Sequence, residues 1–347
     1  MKKRTLLSWL LPGLLFLGWS ILTSHSDAQT RRSSSHPVLL VVNQGDYTMS
    51  IIDPATGRTL GAVPTGSVTG HGHEVAVSPD GRTAYVPIYG NTGVGKPGTN
   101  GKKILAIDIG SRKVIGNINF AHGVRPHLPI YDARRNVLYV TTELKDSISI
   151  IDPKTLKIIG SVPTGQAQSH MFTMSSDGKR GYTANVGPGT VSVLDLTKRK
   201  VVTIIPISRE TQRISISPDN SMVFTSDQTK PQLAVIDTAT DKIKTWVPMA
   251  GTGYGTASTR DGRWLLVAMP KMNGVAVVNL RTLKVARTIQ TCGSPQEILM
   301  QPTNPAIAYV SCMSTHNVGV LNLSNWTMQK TIDAGKKPDG LGWAVAH

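Results

Sequence analysis

An aliphatic residue followed by Asp or Asn returns seven times along this chain, at Ile52-Asp53, Ile107-Asp108, Ile151-Asp152, Leu194-Asp195, Ile236-Asp237, Val278-Asn279 and Leu321-Asn322. Successive pairs lie 55, 44, 43, 42, 42 and 43 residues apart. The stretch Ser169–Pro206 shows what is being repeated. It holds four β-rich runs, His170–Met174, Gly181–Asn185, Thr190–Asp195 and Lys200–Ile205, parted by the turn sequences SDGK, VGPG and LTKR. Short strands joined by tight turns make an antiparallel meander. One such sheet cannot bury both its faces, so it must stack against copies of itself. A four-stranded unit repeating every 40 to 50 residues or so is a propeller blade, and seven marks predict an all-β, seven-bladed propeller.

The repeat starts in mid-blade. Val38–Asn43, Thr48–Asp53 and Arg58–Pro64 read as the second, third and fourth strands of the first blade. Its innermost strand is expected at the far end of the chain, in Pro338–Val345. The C-terminus would then close the ring and remove both loose sheet edges. A chain of this length would otherwise suggest two domains, but a closed propeller is one unit. Ahead of it, Met1-Lys2-Lys3-Arg4, the apolar run Leu6–Leu22 and Ser26-Asp27-Ala28 have the layout of a signal peptide cut after Ala28. The expected organisation is a leader over 1–28, a linker over 29–37 and the propeller over 38–347, in a periplasmic or secreted protein. An uncleaved membrane anchor is the alternative for the apolar run.

The segments VSPDGRTAYVPIYG, SSDGKRGYTANVGPGTVSVLD, SISPDNSMVFTSD and RRNVLYVTTELKDSISIID resemble the YVTN-repeat family of seven-bladed propellers. The resemblance runs over nearly the whole chain from Pro37 onward. It implies the fold. For function it implies only a periplasmic or surface propeller, because such propellers serve many roles.

Cutting after Ala28 removes Lys2, Lys3, Arg4 and Asp27 from 37 basic and 21 acidic residues and leaves a net charge of +14. That balance attracts small anions and anionic surfaces. The charges are spread over turns such as Arg112-Lys113, Lys198–Lys200 and Lys336-Lys337, with no aromatic-interleaved basic stripe, so nucleic acid is not indicated. The chain has no serine–histidine–acid order, CxxCH haem-attachment site or nucleotide fingerprint. The glycines of Gly90–Lys102, a loop inserted between the second and third strands of blade 2, do not lead a strand into a helix and form no phosphate loop.

Aligning the innermost strands on their Ser-Pro-Asp-Gly-type turns gives one equivalent position per blade. Round the ring it holds Asp339, His73, His127, His170, Gln212, Tyr254 and Gln296, all polar. Innermost strands line the central channel, so these residues stand at one mouth, with Gly90–Lys102, His71, His122 and His316 in loops on the same side. Function in propellers resides on such loops. Three imidazoles on consecutive blades, His73, His127 and His170, make a candidate zinc or copper site. Met171 beside His170 would favour copper, though alternation puts Met171 and Met174 in the inter-blade core. Arg125, Arg213 and Lys337 flank ring positions and predict a cationic mouth suited to an anionic ligand. Glu143, Asp146 and Asp227 come from loops on the same face; each could back a ligating histidine or act as a general base, and otherwise they read as solvated loop charges.

Two functions stay open at this point. One is a monomeric, non-catalytic propeller binding a small anionic ligand, a metal ion or a protein partner at the histidine mouth. The other is a propeller enzyme using that mouth, for copper- or zinc-dependent redox chemistry or a lactonase- or lyase-type reaction, an analogy of fold alone. The two cysteines, Cys292 and Cys312, fall in blade 7, where antiparallel pairing would set Cys312 opposite Gln296 with Cys292 close by. An oxidising compartment would join them. Free thiols, or a thiolate near His316 and Met313 assisting a soft metal, are the alternatives.

Overall fold

The computed structural model describes residues 36–346. The expected leader, its cleavage after Ala28 and residues 29–35 of the linker lie outside the described residues, as does His347. The first strand begins at His36.

Seven antiparallel sheets follow one another round a ring. Blade 1 pairs Pro338–Ala346, innermost, with His36–Asn43, Thr48–Ile52 and Thr59–Pro64. The two ends of the chain meet there, Leu39 opposite Trp343 and Val41 opposite Leu341. Blades 3, 4, 5 and 7 have innermost strands Pro126–Asp132, Ser169–Met174, Thr211–Ile216 and Pro295–Met300. The innermost strand of blade 6 is cut to Thr256–Ser258, which leaves Tyr254 in the preceding loop. In blade 2 it is split into Gly70–Gly72 and Ala76–Val77, with His73-Glu74-Val75 between the pieces. Gly340 N–H donates to His73 O across the seam between blades 1 and 2, at 2.8 Å. A Cβ at Gly340 would stand 2.5 Å from that oxygen, so only glycine passes there.

The second and third strands are buried almost without a break, as in Leu138–Thr142 and Val191–Leu194. Each is covered on both faces by the neighbouring blades, which is why alternation fades to continuous apolar runs. The recurring Asp or Asn has a local task. Its side-chain oxygen accepts the backbone N–H two or three residues on, as Asp195 does from Thr197 and Lys198 and Asn279 from Arg281 and Thr282. Only an acceptor is required, so Asn serves as well as Asp. The Ser-x-Asp-Gly turns work the same way: Ser175 Oγ donates to Asp177 Oδ1 at 2.6 Å while Gly178 N donates to Ser175 O at 2.8 Å.

Every outermost strand carries a β-bulge at an equivalent place, and the bulged residue there is Leu60, Ile115, Ile159, Val202, Lys244, Ala286 or Gln329. Cys292 and Cys312 form a disulfide with Cα atoms 5.7 Å apart. Cys312 pairs with Pro295 instead of Gln296, because a bulge between Pro295 and Ile298 shifts the register. Among the described residues the helical turns are two 3-10 turns, Glu143–Lys145 and Pro270–Met272. No helix there is long and apolar enough to cross a membrane.

Candidate functional site

His73, His127 and His170 come together, but ring on ring. The His127 and His170 centroids are 3.7 Å apart at 32°, and His73 meets His127 edge-on at 5.4 Å. His71 stacks on the outer side of His73 at 5.2 Å. Tyr89, from the end of the second strand of blade 2, touches all three ring histidines at 5.1 to 5.5 Å. Nothing in its local sequence marked it, since a tyrosine ending a buried strand reads as core. Among the described residues no set of three or more His, Cys, Asp or Glu side chains could hold a metal ion. The three-histidine zinc or copper site is therefore not supported: the rings pack against one another without bringing three donor nitrogens around one point. Met171 is buried in the core between blades 4 and 5, and Cys292 and Cys312 are committed to each other.

Under the imidazoles lies Glu143, in the 3-10 turn of blade 3. It is 1% exposed and not a solvated loop charge. Tyr89 Oη donates to Glu143 Oε2 at 2.5 Å, and His170 Nδ1 lies 3.2 Å from the same oxygen. Burial pushes the Glu143 carboxyl up, but the bonds from His170 and Tyr89 more than offset it and hold it below its usual range. An ionised carboxylate can only accept, so His170 donates from Nδ1 and keeps the lone pair of its neutral ring on Nε2. Burial lowers the pKa of His170 in spite of Glu143, and it lowers those of His73 and His127 further, with the neighbouring imidazoles and Arg213 adding to the effect. All three rings are neutral at pH 7.

Arg125, just before the innermost strand of blade 3, is committed to the inserted loop. It donates to Asn100 Oδ1 at 2.6 Å, Lys96 O at 2.6 Å, Gly93 O at 3.1 Å and Thr92 Oγ1 at 3.1 Å. Its Nη1 is 3.6 Å from Glu143 Oε1. One guanidinium thus ties Gly90–Lys102 over the histidine side of the mouth.

The other half of the mouth is an ion cluster. Arg213, from blade 5, reaches Glu74 of blade 2 at 2.6 Å, Glu297 of blade 7 at 2.8 Å and Asp339 of blade 1 at 3.0 Å. The Tyr254 ring lies 4.8 Å from the guanidinium carbon. Burial, partly countered by Arg213, raises the pKa of both Glu74 and Glu297. Asp339 also accepts from Gln44 Nε2 at 2.5 Å, and that amide contacts His73 Nδ1 at 3.1 Å. Donating to both, Gln44 leaves the His73 ring hydrogen on Nε2. The cationic mouth expected from Arg125, Arg213 and Lys337 is thereby corrected. Arg213 is enclosed by three carboxylates, Arg125 is spent on loop carbonyls and Lys337 is exposed, so a small anion meets no uncommitted buried guanidinium.

Among the remaining ring positions, Gln296 donates to Ser294 O and Oγ, both at 3.1 Å. Gln212 Oε1, His127 Nδ1 and His71 Nδ1 are buried without a protein partner, and buried polar atoms of this kind are completed by ligand or solvent. Asp227 accepts from the Thr229 and Lys230 backbone and from Gln232, and so shapes its own loop; Asp146 is exposed. His122 and His316 are exposed on the same side.

With this geometry in view, similarity to known proteins is informative. The family described as Cytochrome D1 heme domain matches residues 132–260, which hold Glu143, His170, Gln212, Arg213 and Tyr254. A stretch of 148 residues is 26% identical to Antigen Lp49 of Leptospira interrogans, covering 40% of this chain and 32% of that protein. The chain thus spans about a third of the curated relative it matches. Among solved structures, Kuenenia stuttgartiensis hydrazine synthase superposes with a TM-score of 0.70 at 19% identity, over 82% of this chain and 92% of that one. Dihydro-heme d1 dehydrogenase NirN in complex with DHE gives 0.64 at 14% identity, over 88% and 74%. A functionally unknown protein from Desulfotomaculum acetoxidans DSM 771 gives 0.71 at 14% identity, over 89% and 99%. The chain is a β-propeller, and these structural likenesses show that fold alone.

Proposed function

We propose that this is an exported, YVTN-repeat-like propeller that binds a ligand of the haem class, non-covalently, at the histidine side of its mouth. One observation carries the reading. The segment matching the Cytochrome D1 heme domain contains the His170–Glu143 pair, an imidazole whose Nδ1 faces a buried carboxylate 3.2 Å away. A carboxylate behind a histidine fixes its tautomer and makes the other nitrogen a better iron ligand. Haem needs one such axial histidine, not three converging donors. The chemistry of the donors therefore fits this group where it does not fit a zinc or copper ion.

In this reading His170 would hold the iron, which when bound supplies ligand exchange or one-electron chemistry. Glu143 and Tyr89 position the His170 ring. His73, whose side chain is 16% exposed, offers an Nε2–H donor at the rim, and the inserted loop covers that side. With both cysteines in a disulfide, no thioether attachment is available, so binding is reversible. Export rests on the leader-like first 28 residues.

Titrating the purified protein with hemin tests this. The expected result is a saturable Soret shift at one equivalent, lost in His170→Ala and retained in His122→Ala, which alters an exposed histidine of the same face. A Soret band that His170→Ala leaves unchanged, or no shift with the unmodified chain, would contradict it.

A further inference from the structure

The outer rim of the propeller is uneven. At the bulge of the outermost strand the side chain lies outside the ladder, at an edge where natural sheets place charge to discourage association. Blade 5 follows that rule with Lys244; blade 7 has the polar Gln329, blade 6 Ala286 and blade 1 the half-buried Leu60. Blades 2, 3 and 4 do the reverse. Their bulged residues are Ile115, Ile159 and Val202, exposed by 59%, 50% and 49%. Val114 and Ile158, the residues before two of them, are exposed as well. The three strands are neighbours: Leu156 of blade 3 lies against Gly116 of blade 2, and Arg199 of blade 4 against Gly160 of blade 3. The result is a row of exposed aliphatic patches over three consecutive blades, with the Arg199 guanidinium between those of blades 3 and 4.

The row has a cationic border. Each of these strands opens on an exposed lysine, Lys113, Lys157 or Lys200, and the turns before them add Lys154 and Lys198. The aspartates in the same turns, Asp108, Asp152 and Asp195, accept backbone and hydroxyl donors that lower their pKa values and keep them ionised, but the five lysines together with the exposed Arg112 and Arg199 outnumber them. An aliphatic strip bordered by lysines is the composition of a surface that lies on an anionic bilayer, the side chains among the acyl boundary and the ammonium groups at the phosphates. A second copy of the chain fits less well, because like rows of lysines would face each other.

We propose that the rim of blades 2–4 docks this propeller on an anionic lipid surface. The third-to-fourth turns lie at the opposite end of each blade from the histidine mouth, so a docked propeller keeps that mouth open to solvent. The inference is independent of the ligand.

Vesicle co-sedimentation tests it, with the chain from Gln29 onward so that Leu6–Leu22 cannot adsorb; every strand pairing of the propeller falls within residues 36–346. The protein is expected to pellet with phosphatidylethanolamine vesicles containing phosphatidylglycerol, and to stay in solution with phosphatidylcholine alone. Added salt weakens binding. The triple variants Ile115→Gln/Ile159→Gln/Val202→Gln and Lys113→Gln/Lys157→Gln/Lys200→Gln should each bind more weakly by about tenfold or more, with melting temperatures unchanged. Absence of binding, or binding that neither triple variant weakens, would overturn the proposal. Sedimentation of the unmodified protein as a dimer that the aliphatic triple variant dissolves would reassign the row to a second copy.

Discussion

Arg213 joins four blades through three carboxylates, and its loss would strand those charges in a buried site. Removing one partner of a buried ion cluster costs about 3 to 5 kcal/mol, since the desolvation of the others is no longer offset. Arg213→Met should lower unfolding stability in urea by that order, and a second change, Glu74→Gln, should recover part of the loss. Equal stability of Arg213→Met and the unmodified protein would show that the cluster is not what closes the mouth. None of these partners was legible locally. Glu74 and Asp339 lie 139 and 126 positions from Arg213 along the chain, and Glu143 lies 27 from His170. A sequence read without contacts shows a carboxylate's neighbours and not its partner, so Glu143 looked solvated and Arg213 looked free. The ring positions were legible because the repeat itself aligns them, and so was the Asp or Asn of each blade, whose acceptor role is satisfied within three residues.

At the scale of elements, the repeat dictated strand number, order and the closing of blade 1 by the C-terminal strand. The register at the mouth stayed hidden, because bulges next to the ring positions displace it by a residue, as at Pro295–Ile298. The break in the innermost strand of blade 2 was equally hidden, although it is what turns Glu74 toward Arg213. Deleting Pro338–His347 should lower the melting temperature far more than a surface trim, since it uncovers the inner edge of His36–Asn43. An unchanged melting curve would contradict the closure. The Cys292–Cys312 disulfide encloses about 20 residues and should stabilise by roughly 3 kcal/mol in the chain-entropy model. Replacing both cysteines by serine, measured by urea unfolding, should show that loss, and thiol titration of the denatured, unreduced protein should find no free thiol.

The whole molecule places neutral imidazoles and carboxylates whose pKa burial raises in one buried mouth, and the two kinds of group respond oppositely to pH. His73, His127 and His170 are held below their ordinary 6.5, so the unfolded chain takes up their protons first and stability falls as pH drops below about that value. Glu74 and Glu297 are held above their ordinary 4.5, so their contribution is complete below that value and is lost as pH rises through the raised one. Stability should pass through a maximum, and as pH rises above the ordinary 4.5 of a glutamate the balance should shift in favour of Glu74→Gln over the unmodified protein. A pH-independent difference between the two would refute the assignment. In the proposed function His170, backed by Glu143, offers its Nε2 to a haem-class ligand. The most direct test of this is the absorption spectrum of hemin bound to His170→Ala with and without free imidazole. Imidazole is expected to restore the spectrum seen with the unmodified protein; a variant that shows that spectrum unaided, or that imidazole leaves unchanged, would rule out His170 as the iron ligand.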